Sequence, residues 1–261
     1  MISRSLALFG ANARVGAKEF IEDNPPLVLA VGVLLPSVMR LLVYVLIGAV
    51  AAGQAGAEFA FIGVIPMAIV TPCVNQVSDI PVFDVEYRRY GAVRRGSLPV
   101  FLQYFGRAAH LMLLALATAL VCTITIGLLV WQPGVMTQLI PCLALLLVTI
   151  PVTTVFGLAT IAPAIGNDYQ NLVGNTTATI LTVCSGAIFP TTINPVLNWI
   201  SQVMPLHHTV NAFRLIVAGQ PFWGEIGYEC LVGAGWFIVG LVVYWWFDRR
   251  GRTTGRGAFA S

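Results

Sequence analysis

The stretch that decides the fold runs from Ser185 to Gly219 and reads SGAIFPTTINPVLNWISQVMPLHHTVNAFRLIVAG. Pro190, Pro195 and Pro205 interrupt it, and proline breaks helices because it lacks a backbone N–H donor. After the last proline, apolar side chains recur at helical spacing, at Leu206, Val210, Phe213 and Val217. Such a segment is too interrupted to span a bilayer, yet it is too apolar for an ordinary loop. The sequence therefore predicts a re-entrant helical hairpin.

The same stretch resembles part of a known family. Ser185-Gly186 and Phe189-Pro190 are followed by a spaced motif, whose residues are Pro205, Leu206, His208, Val210, Ala212, Arg214 and then Gly219. Their order and spacing resemble the final third of ABC-2 type permeases, which are the membrane subunits of bacterial ATP-driven exporters. The resemblance implies that the hairpin at 191–219 is an outer gate, with Pro205, Leu206, His208 and Arg214 as its motif residues.

The composition is typical of a membrane protein. Of the 261 residues, 57% are hydrophobic and only 10% are charged, whereas soluble domains contain about 25% charged residues. Apolar runs near the roughly 20 residues that a bilayer requires occur at 27–52, 60–79, 107–131, 138–163, 171–190 and 229–247. We therefore predict an all-α integral membrane fold with six transmembrane helices, and with the re-entrant hairpin on the extracellular side between helices five and six.

The chain is predicted to be a single transmembrane domain over 1–261, in which 27–247 is the six-span region. Apolar residues recur at three- and four-residue spacing in residues 1–26, with Arg4, Arg14 and Lys18 among them, which predicts an amphipathic helix at the membrane surface. The resemblance implies that this helix touches an ATPase subunit, and a plain interfacial anchor is the alternative. Residues 248–261 are predicted to form a basic tail.

Basic residues cluster before span one, between spans two and three, and after span six. The loops at 53–59 and 132–137 contain no Lys or Arg. The positive-inside rule therefore places both termini and the loop between spans two and three in the cytoplasm. Through the family resemblance, the membrane is expected to be the bacterial inner membrane.

The loop at 80–99, IPVFDVEYRRYGAVRRGSLP, is the most charged part of the chain. Its candidate residues are Asp84, Glu86, Tyr87, Arg88, Arg89, Arg94 and Arg95. Read from the residues alone, it is a solvated inner loop. The resemblance implies instead a coupling helix that docks into the ATP-binding subunit, and a cluster of both signs suits a protein interface.

Spans two and five contain polar residues at helical spacing. These residues are Thr71, Asn75 and Ser78 in span two, and Asn175, Thr179 and Thr182 in span five. Hydrogen bonds to a neighbouring helix would account for them, whereas the resemblance implies that both spans line the path of the cargo. Arg40 and Asp79 are the intramembrane charges, and Asp79 is the candidate partner of Arg40. The alternative for Arg40 is snorkelling towards the interface without a specific role.

The chain lacks the sequence of an ATPase. It has one lysine, Lys18, with no glycine-rich run before it, so no P-loop is present. An ABC exporter built on this chain would need a separate ATP-binding subunit that holds ATP and Mg²⁺. It would also need a second permease protomer, because no internal repeat supplies the other half of a pathway. No catalytic residue, metal, cofactor or nucleic-acid partner is expected in this chain.

The cargo is predicted to be a hydrophobic or amphipathic drug-like compound, because the spans are apolar and the outer loops are short. Drug efflux and antibiotic resistance are the corresponding roles. One alternative is an ABC-2 exporter of a polysaccharide or a lipid-linked glycan. The other is an ion-coupled secondary transporter, for which the spans offer only Arg40 and Asp79 as charges.

Overall fold

The computed structural model describes residues 2–130, 133–165 and 169–254. These residues form helices joined by short turns, and no strand occurs among them. In chain order the helices are α1 (Ile2–Asp23), α2 (Pro26–Leu29), α3 (Leu35–Met67), α4 (Val77–Glu86), α5 (Tyr90–Arg94), α6 (Val100–Arg107), α7 (Ala109–Leu129), α8 (Pro133–Cys142), α9 (Leu146–Ile161), α10 (Gln170–Cys184), α11 (Pro195–Ser201), α12 (His207–Val217) and α13 (Trp223–Thr254).

The predicted all-α membrane fold is confirmed. Within the described ranges, four helical stretches are long and apolar enough to cross a membrane: Leu27–Glu86, Ala109–Leu129, Pro133–Ala164 and Trp223–Arg250. The number of crossings, and the depth of the hairpin in the membrane, remain predictions.

The first of these stretches doubles back on itself. It contains 60 residues, which would extend about 90 Å as a straight helix, far more than the roughly 30 Å of a hydrocarbon core. The reversal lies at Ala52 and Gly53, whose backbone leaves the helical region, with Gly53 at a φ of +63°. Beyond the turn the arms touch, since a Cβ placed on Gly48 would lie 2.5 Å from the carbonyl oxygen of Gly56. The helix resumes directly after this turn, so the predicted loop 53–59 is mostly helical.

Prolines mark the irregular parts of the membrane helices. A π-helical segment at Thr71–Gln76 contains Pro72 and joins α3 to α4. In the predicted span four, 3₁₀ turns follow Pro141 at Leu143–Leu145 and include Pro163 at Ala162–Ala164. A proline removes an N–H donor from the helical ladder, and local changes of pitch accommodate the loss.

The predicted span five is a short helix followed by a bend. α10 ends at Cys184, and the chain then passes through a 3₁₀ turn at Thr191–Ile193 into the pair α11 and α12. The predicted apolar stripe of α12 is buried, since Leu206, Val210 and Phe213 are all 0% exposed. The loop between spans four and five lies partly outside the described residues.

The last helix is longer than predicted. α13 begins at Trp223 and ends at Thr254, whereas the predicted span six covered only 229–247. It packs along α9, where the rings of Phe156 and Trp236 meet edge to face at 4.6 Å between their centres. The first part of the predicted basic tail, 248–254, therefore continues this helix. The rest of the tail, 255–261, lies outside the described residues.

Candidate functional site

The predicted docking loop is a short helical turn packed on the bundle. α4 ends at Glu86, Arg88 adopts a left-handed φ of +56°, and α5 then covers Tyr90–Arg94. Tyr90 is 0% exposed and belongs to the same buried cluster as Tyr244 of α13. The segment is therefore held in place by aromatic packing, although it lies at an exposed end of the bundle.

The predicted docking residues divide into an exposed group and a group with internal contacts. The exposed residues are Glu86, Tyr87, Arg88, Arg89 and Arg95. Asp84, only 1% exposed, forms an ion pair with Arg107 at the end of α6. The Nε of Arg94 lies 2.8 Å from Oδ1 of Asp248 on α13. Asp84 and Arg94 thus fasten the segment to the bundle, which the sequence did not predict.

An ion network connects the docking segment to the N-terminal helix. Glu19 of α1 accepts from Arg107 Nη2 at 2.6 Å through Oε2, and from Arg89 Nη1 at 2.8 Å through Oε1. Arg107 also donates to the buried carboxylate of Asp84. Burial would lower the pKa of Arg107, but the carboxylates of Asp84 and Glu19 outweigh burial and raise that pKa above its usual value. The network therefore links α1, α4, α6 and the turn before α5 through charged hydrogen bonds.

An aromatic pair lies beside this network on the outer surface of the segment. Phe83 is 48% exposed and Tyr87 is 63% exposed, with 6.1 Å between their ring centres. The guanidinium of Arg89 lies 5.1 Å from the centre of the Tyr87 ring. Exposed aromatic residues combined with arginine are enriched at protein interfaces. This surface has the chemistry of a docking site.

The intramembrane charges are not paired with each other. Arg40 Nη2 donates to Thr71 Oγ1 at 2.8 Å, and in the described part of the chain Arg40 forms no ion pair with Asp79. Asp79 lies eight residues beyond Thr71, about 12 Å further along a helix. The predicted pairing of Arg40 with Asp79 is therefore replaced by a hydrogen bond to the hydroxyl that lies nearer.

Most hydroxyls of the two polar stripes bond within their own helix. Ser78 donates to the carbonyl of Val74 at 2.5 Å, Thr179 to that of Asn175 at 2.8 Å, and Thr182 to that of Ala178 at 2.8 Å. This is the usual bond of a helical Ser or Thr to the carbonyl four residues earlier. Thr71, which accepts from Arg40, is the stripe hydroxyl for which the structure shows a bond to another helical segment in the described residues.

Two cavities meet at Asp79. The larger, about 500 Å³, lies between α1, α4 and the start of α7, and its lining includes Phe20, Gln76, Asp79, Phe83, Tyr87 and His110. The smaller, about 190 Å³, lies between the spans predicted to line the cargo path, and its polar lining is Asn75, Ser78, Asp79, Gln170, Asn171 and Asn175. The structure therefore brings Asn75, Ser78 and Asn175 together. Thr71, Thr179 and Thr182 do not line either cavity.

The outer hairpin is fastened at its base by Arg214. Its Nη2 donates to the carbonyl oxygens of Gly186 and Ala187 at 2.8 and 3.1 Å, and its guanidinium lies 3.8 Å from the centre of the Phe59 ring. Burial lowers the pKa of Arg214 to about 10, so the side chain stays charged at neutral pH. One residue thus joins α12 to the end of the predicted span five and to α3.

Two carboxylates from α13 hold the other motif residues of the hairpin. Nδ1 of the His208 ring lies 2.8 Å from Oε2 of Glu225. The backbone N–H of Leu206 donates a hydrogen bond to Oε1 of Glu229 at 3.0 Å. Leu206 follows the buried Pro205 and has a left-handed φ of +73°, which an apolar residue rarely adopts. Both acids are far from these residues in the sequence, because they lie on the next helix.

One family comparison decides what kind of protein this is. The sequence model of a single family, described as ABC-2 type transporter, matches residues 21–217. The chain belongs to the ABC-2 type transporter family. Comparison with curated proteins and with solved structures returned no match.

The ABC-2 match covers most of the charged, polar and cavity-lining residues described above. It begins near the end of α1 and ends with α12, so it includes residues 80–99, the smaller cavity, most of the lining of the larger cavity and the hairpin as far as Val217. The recognition made from Ser185–Gly219 is confirmed. The protein is thus a membrane-embedded permease of an ABC transporter, a class that associates with an ATP-binding subunit, and this membership argues against an ion-coupled secondary transporter.

Proposed function

We propose that this chain is the permease subunit of a bacterial ABC exporter that moves a hydrophobic or amphipathic, drug-like compound out of the cell. A separate subunit binds ATP and Mg²⁺, and it docks on the exposed face of residues 80–99. Drug efflux, and with it antibiotic resistance, is the corresponding physiological role. Both termini lie in the cytoplasm, as the distribution of Lys and Arg indicates.

The observation that supports this proposal most is the connection between the docking segment and the cavities. Asp84 and Arg107 contribute to the lining of the larger cavity, and they are also the residues that fasten the segment to the bundle. A force applied to the exposed Arg88 would reach the cavity wall through its neighbour Tyr87 and through α4. Transport driven from outside the membrane requires such a mechanical link.

The exposed face of α10 supports a second protomer. Asn175 and Thr179 are exposed on this helix next to Leu172 and Ile180, which are 68% and 45% exposed. Exposed polar side chains are costly against lipid and usually face protein or a wet cavity. A second permease protomer facing α10 would cover them and complete the path for the cargo.

Charge reversal in the exposed group tests the docking surface. We expect the double variant Arg88→Glu/Arg95→Glu to lose at least tenfold of transport-linked ATP hydrolysis, because like charges across an interface repel the partner. Arg89 is left intact, since it bonds to Glu19 within the chain. The measurement is ATPase activity and retention of the ATP-binding subunit, with both proteins reconstituted in lipid vesicles.

Arg88→Lys/Arg95→Lys is the matched control for this experiment. It changes the same two exposed positions but keeps both positive charges. We expect the control to retain near-normal activity, since the partner meets the same charges. Wild-type retention and ATP hydrolysis in the charge-reversal variant would remove residues 80–99 from the coupling surface.

A further inference from the structure

Asp79 is the one residue that lines both cavities, and its carboxylate has no cation. In the described part of the chain, Asp79 forms no ion pair and no hydrogen bond. It is half-buried, at the inner end of the helical hairpin formed by α3 and α4. A carboxylate in such a place is costly unless something positive or polar reaches it.

The neighbouring charges do not neutralise it. Besides Asp79, the larger cavity is lined by three carboxylates, on Glu19, Glu22 and Asp84, and by two guanidinium groups, on Arg89 and Arg107. Both guanidinium groups are already engaged by Glu19 and Asp84. The cavity therefore has an excess of negative charge, and Asp79 is the carboxylate of its lining that forms no ion pair among the described residues.

Two acceptor oxygens beside Asp79 also lack donors. Asn75 lines the smaller cavity and Gln76 lines the larger one. The side-chain oxygens of both residues, Oδ1 and Oε1, are buried and accept no hydrogen bond. A buried acceptor without a donor is unfavourable. The negative ends of these two amide dipoles add to the potential of the carboxylate and favour a positive charge near Asp79.

Apolar and aromatic side chains form another part of the larger cavity. Phe20, Ile80, Phe83 and Leu111 contribute to its walls, and its volume of about 500 Å³ lies within the roughly 300–1,000 Å³ of small-molecule sites. Aromatic faces attract cations as well as apolar groups. These side chains thus suit the bulky apolar part of a ligand, and the carboxylate of Asp79 suits a positive charge on the same ligand.

We propose that Asp79 binds the positive charge of a lipophilic organic cation, which enters through the larger cavity and passes into the smaller one between spans two and five. This inference rests on the proposed export function and specifies its cargo class. The two cavities act as consecutive parts of one entry route, and Asp79 selects the charge of the cargo at their junction.

Two probe ions of nearly equal shape and opposite charge test the proposal. Tetraphenylphosphonium is a lipophilic cation, and tetraphenylborate is the corresponding anion. Binding of each is measured by equilibrium dialysis against the full-length chain in lipid nanodiscs, without nucleotide or ATP-binding subunit. We expect saturable binding of the cation, no saturable binding of the anion, and at least a tenfold loss of affinity for the cation in Asp79→Asn.

Two further variants separate charge from structure. Asp79→Glu keeps the charge, so it should recover much of the affinity that Asp79→Asn loses. Glu58→Gln removes a carboxylate that lines neither cavity, so its affinity should stay within about twofold of wild type. A general loss of folding would not produce this pattern of rescue and selectivity.

The proposal is overturned if Asp79→Asn binds tetraphenylphosphonium as tightly as wild type does, or if wild type does not distinguish the two ions. Because binding is measured without ATP, it does not depend on the export cycle. Cation binding without any associated ATPase would contradict the proposed export function but not the site. ATP-driven transport without cation selectivity would contradict the site alone.

Discussion

Replacing Arg107 with methionine is expected to lower the stability of this permease more than any other single change in the docking region. Arg107 is 8% exposed and donates to both Asp84 and Glu19. Its loss leaves the buried carboxylate of Asp84 without a cation, which costs about 3–5 kcal/mol. In detergent, the midpoint of thermal unfolding should fall by on the order of 10 °C.

The double variant Asp84→Asn/Arg107→Met separates a lost ion pair from lost packing. Removing the carboxylate together with the cation leaves no buried unpaired charge, so much of the lost stability should return. Glu19→Gln is the milder control, because the Glu19 side chain is 35% exposed and faces water. If Arg107→Met unfolds at the wild-type temperature, the network does not hold α1 and α4 to the bundle.

Replacing Arg214 with methionine is expected to release the outer hairpin. The change removes two charged hydrogen bonds to Gly186 and Ala187, worth about 1.5–3 kcal/mol each, and a cation–π contact with Phe59. Hydrogen exchange in residues 191–219 should accelerate at least tenfold, while exchange in α9 stays near its wild-type rate. Under the proposed role of the hairpin as an outer gate in an exporter, transport should fall in parallel.

Arg214→Lys is the matched variant for the hairpin. Lysine keeps the positive charge but lacks the planar guanidinium that stacks on Phe59 and spans two carbonyl oxygens. Its hairpin should therefore exchange at a rate between those of wild type and Arg214→Met. Equal exchange in all three proteins would show that Arg214 does not fasten the hairpin.

Local sequence signals predicted the helices and the family. The apolar runs set the positions of the membrane helices, since a bilayer imposes their length and their composition. Helical spacing predicted the buried face of α12, and the structure places Leu206, Val210 and Phe213 in the core. The motif around Pro205 led to the ABC-2 family because it depends on the order and spacing of residues, which sequence shows directly.

Contacts between distant parts of the chain could not be predicted in this way. Glu19 and Arg107 are 88 residues apart, and Arg89 is 70 residues from Glu19. No local sequence pattern identifies such partners, because many acidic residues of the chain could pair with a given arginine. The same holds for Glu225 and His208, which come together only when α13 packs against the hairpin.

The π-helical segment at Thr71–Gln76 explains why the polar stripe of span two was only partly predicted. Regular spacing placed Thr71, Asn75 and Ser78 on one face, but a π turn contains more residues than an α turn and rotates the residues beyond it about the helix axis. Thr71 consequently meets Arg40, while Asn75 and Ser78 line the smaller cavity with Asp79. Sequence periodicity assumes a constant pitch, which the proline-containing segment does not keep.

The most direct test of the permease assignment is gentle detergent purification of the tagged chain from its native host, followed by mass spectrometry and an ATPase assay. The assignment predicts that a protein with a Walker A motif co-purifies, and that the complex hydrolyses ATP in a vanadate-sensitive manner. A pure homo-oligomer of this chain, without ATPase activity after the same purification, would contradict it.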